Sequence, residues 1–524
     1  MLADARRVPA GAALESDVCI IGAGAAGIAI ARELEGAGKR VVVLESGGRE
    51  PDPATQGLAA GEVAGGLPYF PLFVARLRYL GGSTNHWGGV CKPLSETDFE
   101  RREWIPHSGW PIPRSALDGY YGRARAIVRL PYPDYRTAVW AQGDREQPFP
   151  LRPSRIETRI AQVVEKRRRS FADAYGDELE RARDVTVYLH ANAVEIQAEG
   201  RAATRVRVAT LAGGRFTVSA RVFVLAAGGL ENPRLLLASN RDRPRGLGNE
   251  HDLVGRFFLE HPRFDAAIVV PADRRRSAGF YEPHRARFGR LQGYLALPDA
   301  VKRAEELVDV QVKLRTTYEP EYEEALSSAR VDALRRLVRR RGGDLAPDVR
   351  ALATDLMSWQ QYVVPGAPLP LPHPDLVAAV ADGVGAQRLL PDVLGDAAAF
   401  AYKELTGRVP TSHLVLTTRI DPVPNPDSRV VLQHERDALG MPRLRLQWRL
   451  SDLDRHSVAR TLELLVASPV AASRLLRAQL GGVERHGDRL KVPLQARTPE
   501  EVLAQCSALR ITVNASRVVH AGAC

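Results

Sequence analysis

A glycine-rich turn between two apolar strands is the feature that most constrains this chain. Residues 16–48 are predicted to form strand, tight turn, helix and strand, starting with the apolar run Val18–Ile21. The turn places Gly22, Gly24 and Gly27 in G-x-G-x-x-G spacing at the start of the helix. The first glycine allows the turn, the second lets the backbone approach a pyrophosphate, and the third lets helix and strand pack closely. The pattern therefore predicts a dinucleotide-binding βαβ unit.

This unit also predicts how a dinucleotide would be bound. The unpaired N–H groups and the positive end of the helix dipole attract the pyrophosphate. Glu45 follows the second strand, 18 residues after Gly27, where an acid accepts hydrogen bonds from a ribose diol. Because that contact needs a free 2′-hydroxyl, Glu45 favours FAD or NAD over NADP.

The composition is that of an ordinary globular protein. A chain of 524 residues is too long for one compact core and predicts about two to four domains or subdomains. The hydrophobic content of 45% and the charged content of 26% are typical of globular proteins. No apolar run is long enough to predict a transmembrane helix. The N-terminal residues lack the apolar segment of a secretory signal, so we expect a cytoplasmic protein.

The net charge of +11 raises the question of a nucleic-acid partner. Basic residues cluster at Lys166–Arg169, Arg274–Arg276 and Arg335–Arg341. No interleaved aromatic residues or nucleic-acid motif accompany them, so solvated surfaces are favoured and no nucleic-acid partner is expected.

The four cysteines lie far apart, and the histidines lack ligand spacing, so no metal site is predicted. Cys19 is expected to be a buried free thiol.

Two later stretches also carry the small residues that a cofactor needs nearby. Residues 81–89 read GGSTNHWGG, which predicts a loop whose bare backbone lies against a planar ligand while polar side chains converge on it. An apolar strand from residue 221 ends in Ala226–Gly229, and a helix is predicted to open near Pro233. This second turn would lie against the same dinucleotide from its other side.

The other elements are predicted from periodicity and turn signals. They are a helix capped by Ser115, a charged helical segment at 154–183, a strand at 185–189, an antiparallel meander over 193–218, strands at 266–270 and 308–315, a charged helix at 322–340, a proline-rich loop at 365–374, strands near 414–418, 429–432 and 444–450, and a helix at 452–466.

Five motifs in order resemble the glucose-methanol-choline (GMC) family of FAD-dependent oxidoreductases, especially its bacterial branch related to pyranose oxidase and sugar dehydrogenases. The motifs are Gly22–Gly27 with Glu45, GGSTNHWGG at 81–89, AAGGLENPR at 226–234, DLVGRFFLEHP at 252–262 and PNPDSRV at 424–430.

The resemblance implies an α/β fold in which a Rossmann-like FAD-binding domain is interleaved with an α+β substrate domain containing a mixed sheet. We expect the FAD-binding domain at residues 1–264, with inserted loop and helical segments at 47–183, and a substrate domain at 265–420. Family-like strands and a helix follow at 421–466. Residues 467–524 are expected to be a diverged or incomplete C-terminal segment.

The resemblance also implies the cofactor contacts. The first motif would bind the ADP half of FAD, and the loop at 81–89 would lie along the isoalloxazine ring. His86 falls where some family members carry a covalent bond to the flavin. The predicted cofactor-binding residues are Gly22, Gly24, Ala25, Ala26, Gly27, Glu45, Gly82, Ser83, Asn85, His86, Trp87, Gly88, Ala193, Val194, Ala227 and Gly228.

The implied reaction is oxidation of a small alcohol or sugar, in which the flavin takes a hydride and a histidine removes the hydroxyl proton. In the family that histidine precedes a Gly-Thr-x-Arg-Met segment, which this chain lacks. His486 and His520 are the remaining candidates. Three interpretations stay open: a diverged site that uses one of them, a chain whose end is truncated or out of frame, which is slightly favoured, or a flavin-binding protein without this chemistry. Neither the substrate nor the electron acceptor is predicted.

Overall fold

A computed structural model describes residues 1–66, 69, 71–130, 132–151, 155–271, 278–317 and 413–467, and three short strands at 476–477, 485–486 and 489–490. The predicted helix at 322–340 and the proline-rich loop at 365–374 lie outside these residues, as does His520.

The described strands, in chain order, are β1 (Leu2–Asp4), β2 (Ala13–Ile21), β3 (Val41–Leu44), β4 (Gly61–Gly66), β5 (Val90–Cys91), β6 (Glu157–Val163), β7 (Val185–Leu189), β8 (Asn192–Glu199), β9 (Ala202–Ala209), β10 (Arg215–Leu225), β11 (Arg263–Pro271), β12 (His284–Ala286), β13 (Gly289–Ala296), β14 (Val310–Thr317), β15 (His413–Ile420), β16 (Arg429–Arg436), β17 (Pro442–Trp448), β18 (Leu476–Arg477), β19 (Arg485–His486) and β20 (Arg489–Leu490).

The described α-helices are α1 (Ala25–Leu34), α2 (Pro53–Gly57), α3 (Leu72–Ala75), α4 (Glu96–Phe99), α5 (Asp118–Ile127), α6 (Thr137–Ala141), α7 (Phe171–Arg181), α8 (Gly228–Ala238), α9 (Asp299–Ala304) and α10 (Asp452–Ala467). None of these helices is long and apolar enough to cross a membrane.

The first sheet has seven strands in the order β1-β7-β3-β2-β10-β9-β8. The pairings from β1 to β10 are parallel, and those of β10, β9 and β8 are antiparallel. Every residue of β3 is buried, as a parallel strand covered on both faces requires. Separate apolar clusters pack on its two faces; Cys19, a free buried thiol, belongs to one and Ile20 to the other. The predicted Rossmann-like sheet and its antiparallel meander are therefore both present.

The second sheet has the order β18-β11-β15-β14-β13-β6-β5, with β12 paired to β13. All pairings among its described strands are antiparallel. Leu291, Leu295 and Val312 on one face belong to a large apolar core that also includes Val458 and Leu462 of α10. The alternate residues of β13 and β14 point to the opposite face, because side chains alternate along a strand. This face carries Gln292, Tyr294, Gln311 and Lys313.

The two large sheets are interleaved along the chain. β5 and β6 come from the segment 47–183, yet they complete the second sheet beside β13. The smaller third sheet, β16-β17-β4, is mixed, because β4 pairs parallel to β17 while β16 pairs antiparallel to it. The predicted fold class, a Rossmann-like part interleaved with an α+β part, is confirmed, while the domain limits at 264, 420 and 466 stay predictions.

Two predicted helix starts were wrong. Ser115 lies inside a 3-10 turn at Arg114–Leu117, and α5 begins only at Asp118. α8 begins at Gly228 rather than near Pro233, which lies within the helix. Asn232 explains the early start, because its side chain accepts a hydrogen bond from the Ala227 N–H at 2.9 Å and so orders the first turn.

The predicted helical segment at 154–183 was also partly wrong. Its first part forms β6, which pairs with β13 from Glu157 to Gln162. Burial of Ile160, Ala161 and Val163 against partner strands outweighed the charged composition of the segment. Helix α7 starts only at Phe171, where the Ser170 hydroxyl accepts a hydrogen bond from the Asp173 N–H as the N-cap.

A buried ion cluster joins the first sheet to the third. Glu231 on α8 forms ion pairs with Arg76 at 2.9 Å, Arg78 at 2.8 Å and Arg234 at 3.3 Å, and Arg234 also pairs with Asp437 at 2.7 Å. Burial opposes the ionisation of Glu231, but the three guanidinium groups outweigh it and keep the pKa of this carboxyl well below its usual range. The cluster therefore depends on Glu231 staying charged.

Replacing Glu231 with Gln should destabilise the protein by about 3–5 kcal/mol, because Arg76 and Arg78 would stay buried without a countercharge. Since the folded-state pKa is depressed, the stabilisation from Glu231 is present above the carboxyl's unfolded pKa of about 4.3 and is lost as pH falls below it. Urea unfolding from neutral to acidic pH measures both effects.

The matched control is Glu178→Gln, which breaks an exposed ion pair with Arg32. Its cost should stay below about 1 kcal/mol. Equal costs for the two variants would mean that the buried cluster contributes no more than a surface pair.

Candidate functional site

Two backbone turns meet at the carboxyl ends of β2 and β10. The Gly22 N–H donates to the Leu44 carbonyl at 2.8 Å, and the Ala226 N–H donates to the Ile21 carbonyl at 2.8 Å. Gly22 has a φ of +106°, and a Cβ there would lie 2.6 Å from the Ala226 carbonyl oxygen. Only glycine satisfies both demands, so the turns at Gly22 and Ala226 are held in direct contact.

The N-terminus of α1 is open to a ligand. The helix begins at Ala25, and its N-cap Gly24 has no described atom within 4 Å of the place where a Cβ would stand. Ala25 and Ala26 are exposed. Gly27 faces inward, where a Cβ would lie 1.9 Å from the Gly22 carbonyl oxygen. The N–H groups of the first turn thus face free space, which fits a pyrophosphate.

Glu45 is buried beside this turn. One carboxylate oxygen accepts a hydrogen bond from the Ala23 N–H at 2.9 Å, and the other accepts one from the Gly47 N–H at 3.0 Å. Burial raises the pKa of this carboxyl, while the two N–H groups and the charge of Arg78 oppose the rise. Each oxygen keeps a further acceptor position, so the contact of Glu45 with a ribose diol stays a prediction. In the structure, Glu45 also holds the glycine turn in place through these two hydrogen bonds.

The loop at 81–89, here called the glycine loop, is docked on the same turn. The Gly81 N–H donates to the Ala23 carbonyl at 2.9 Å. A Cβ on Gly82 would lie 3.1 Å from the Cα of Gly24. Residues Gly82–Asn85 form a 3-10 turn, which contains the predicted residues Ser83 and Asn85. The structure therefore brings the motif predicted to bind the ADP half and the loop predicted to lie along the ring into contact.

Residues 162–172 form a wall behind the glycine loop that the sequence did not reveal. The Val164 N–H donates to the Gly89 carbonyl at 2.7 Å, and the Trp87 indole N–H donates to the Arg169 carbonyl at 2.9 Å. Ser170 and the Phe171 N–H bind the side chains of Asn85 and Thr84. Ser170, a typical helix N-cap residue, was the one local signal in this stretch. The contacts themselves join residues about 80 positions apart, so no local pattern predicts them.

His86 projects from the end of the 3-10 turn. Its Nε2 lies 2.7 Å from the hydroxyl of the buried Tyr79. The ring is partly exposed, and desolvation of the rest lowers the pKa of His86, which favours neutral imidazole. His86 therefore has a fixed orientation and one ring nitrogen already bonded to the protein.

The remaining predicted cofactor residues lie nearby along the first sheet. The Ala191 N–H donates to the Glu45 carbonyl at 2.8 Å, and Ala193 and Val194 follow in β8. Ala227 and Gly228 form the N-cap and first position of α8. The structure thus gathers the ADP-side residues around one turn, while their contact with a cofactor stays a prediction.

The structure does not place the predicted catalytic histidines relative to this site. His486 lies in the short strand β19, paired with β20, and His520 lies outside the described residues. Within the described ranges, no group of three or more histidine, cysteine or acidic side chains could bind a metal ion.

Residues 17–341, more than half of the chain, match the family model described as "FAD dependent oxidoreductase". The chain belongs to the FAD-dependent oxidoreductase family. This FAD-dependent oxidoreductase is 28% identical over 324 residues to the 2-methyl-1,2-propanediol dehydrogenase of Mycolicibacterium austroafricanum, covering 50% of this chain and 57% of that protein. It is also 52% identical over 46 residues to the fructose dehydrogenase large subunit of Gluconobacter japonicus, covering 9% of this chain and 8% of that protein. The matches thus span about half of the first relative and far less of the second.

Two solved structures resemble the oxidoreductase at low sequence identity. A pyridoxine 4-oxidase from Mesorbium loti has a TM-score of 0.45 at 16% identity, covering 93% of this chain and 84% of that one. A formate oxidase has a TM-score of 0.44 at 14% identity, covering 96% and 88%. Likeness at this level assigns no activity. The predicted FAD-dependent oxidoreductase and its cofactor FAD are confirmed by the family match.

Two glycine substitutions should separate folding from cofactor binding. Gly27→Ala forces a methyl group against the Gly22 carbonyl, so it should lower the stability of the apoprotein by about 1–3 kcal/mol or more. Gly24→Ala meets open space, so the apoprotein should unfold like the wild type but bind FAD more weakly. Thermal unfolding without FAD and a fluorescence titration with FAD measure the two effects. Unchanged FAD affinity in Gly24→Ala would show that the pyrophosphate does not bind at this helix terminus.

Proposed function

We propose that this FAD-dependent oxidoreductase is of the GMC type and oxidises a CH–OH group of a small alcohol or sugar. The observation that carries the proposal is the contact of three segments that contain glycine: the turn at Gly22, the glycine loop and the turn at Ala226. Bare backbone at a helix N-terminus suits the pyrophosphate, and a loop with four glycines beside it suits a planar ring.

The curated relatives support the substrate class. One is named as a dehydrogenase of a diol and the other as a dehydrogenase of fructose. Both names describe hydroxylated small molecules, which favours an alcohol or sugar here. The partial coverage of these relatives makes the substrate a proposal for this chain.

The chain's own residues would divide the work between binding and proton transfer. FAD, when bound, supplies the hydride acceptor. Gly24, Ala25 and Ala26 would leave room for the pyrophosphate, and Glu45 would accept from the ribose while bracing the turn. A histidine that accepts the hydroxyl proton would accelerate the reaction by about 10²- to 10⁴-fold, and His486 and His520 stay the candidates.

We further propose that His86 contacts the flavin without a covalent bond. The Tyr79 hydroxyl occupies its Nε2 at 2.7 Å, so a covalent bond through this nitrogen would require the hydrogen bond to break. We propose that the protein is located in the cytoplasm, and we expect no nucleic-acid partner.

Acid precipitation of the purified holoprotein tests the linkage. FAD should pass into the supernatant, because a non-covalent cofactor is released when the fold is lost. Tyr79→Phe removes one hydrogen bond and should weaken FAD binding by about 0.5–1.5 kcal/mol. The control Tyr120→Phe changes an exposed tyrosine and should bind FAD like the wild type. Flavin fluorescence that stays with the precipitated wild-type protein would refute the non-covalent proposal.

Anaerobic mixing with a panel of alcohols and sugars tests the reaction. A substrate should bleach the visible absorbance of bound FAD. Replacing the histidine that acts as base, His486 or His520, by Ala should slow bleaching by about 10²- to 10⁴-fold, whereas His456→Ala, an exposed position on α10, should not. Bound FAD that no member of the panel bleaches would favour a flavin-binding protein without this activity.

A further inference from the structure

Lys166, Arg167 and Arg168 form an exposed 3-10 turn, here called the basic turn. It follows β6 and precedes α7, so it lies within the wall that backs the glycine loop. The three side chains contribute nothing to an apolar core. Their mutual repulsion is unfavourable for folding, so these three charges do not serve the stability of the fold.

Bonds on both sides tie the basic turn to the glycine loop. Before the turn, the Val164 N–H donates to the Gly89 carbonyl at 2.7 Å. After the turn, the Arg169 carbonyl accepts from the Trp87 indole N–H at 2.9 Å. A Cβ on Gly89 would lie 2.7 Å from the Arg169 Nε, so this side chain lies directly on the loop. The positive charges are therefore fixed beside the part of the chain predicted to lie along the flavin ring.

The neighbouring hairpin adds further positive charge. Arg285 of β12 pairs with Glu165 at 2.9 Å, and Arg287 is exposed just after that strand. Within residues 165–173 and 285–287, the carboxylates are Glu165, which is already paired, and Asp173 in the first turn of α7. Basic groups thus outnumber acidic ones around the basic turn. Such a surface raises the local concentration of anions and their rate of encounter.

We propose that the basic turn is the approach surface for an anionic electron acceptor that reoxidises the reduced flavin. The inference rests on the proposed function, because it needs a flavin that cycles. Each reduced FAD loses two electrons, for example one to each of two ferricyanide ions, which become ferrocyanide, and it releases its protons to solvent. The positive surface acts on the encounter step and leaves the reduction of the flavin by substrate unchanged.

Stopped-flow reoxidation of the holoprotein tests this proposal. Reduction of bound FAD with dithionite removes any dependence on substrate, so a failure here is distinct from failure of the proposed function. Ferricyanide is the anionic probe. The second-order rate constant should fall as the ionic strength rises from about 20 mM to about 300 mM, because salt screens exposed charges.

The test variant is the charge reversal Lys166→Glu, Arg167→Glu and Arg168→Glu. At low salt it should react with ferricyanide at least about 10-fold more slowly, and its salt dependence should flatten or reverse. With the neutral acceptor oxygen, its rate should match the wild type. Should this triple variant fail to retain FAD, the milder triple change to Gln replaces it and should show a smaller loss in the same direction.

The matched control reverses three exposed arginines of the antiparallel meander, namely Arg201→Glu in the turn between β8 and β9, Arg205→Glu in β9 and Arg215→Glu at the start of β10. It makes the same change in net charge away from the glycine loop. The change in the logarithm of its ferricyanide rate constant should be less than a third of the change in the basic-turn variant. Equal slowing in both triples, or no slowing in the basic-turn variant, would overturn the proposal.

Discussion

The candidate site depends on how closely its backbone segments approach one another. A Cβ at Gly22, Gly27 or Gly82 would stand 2.6, 1.9 and 3.1 Å from main-chain atoms of the neighbouring turn. Such separations exclude ordinary side chains or force the backbone to move. The result is a surface of peptide groups, including the free N-terminus of α1, that a flat, negatively charged cofactor can approach.

Buried polar groups keep this assembly rigid. Glu45 uses both carboxylate oxygens on backbone N–H groups around the turn. Farther along, Glu231 connects arginines that precede the glycine loop to the helix that follows the second turn. Each carboxylate joins segments distant in sequence, so loss of one would loosen several walls of the site together. We therefore expect stability and cofactor binding to be coupled in this protein.

Local pattern predicted the elements whose signals are short-range. The glycine spacing, the apolar run before it and the acid at Glu45 identified the βαβ unit, and alternation identified the meander that became β8, β9 and the start of β10. The same reasoning failed for β6. Charged residues concealed a strand whose stability comes from pairing with β13, more than 100 residues away.

The sequence by itself determined the Rossmann-like unit and the family resemblance, because these follow from residue types at fixed local spacings. The spacings alone left FAD and NAD open, and the resemblance then indicated FAD. Tertiary structure decided what surrounds the glycine loop: that His86 is hydrogen-bonded to Tyr79, and that residues 162–172 form its rear wall with a basic turn at the surface. These features arise from contacts between distant segments. Their geometry depends on the packing of both sheets, which no local pattern encodes.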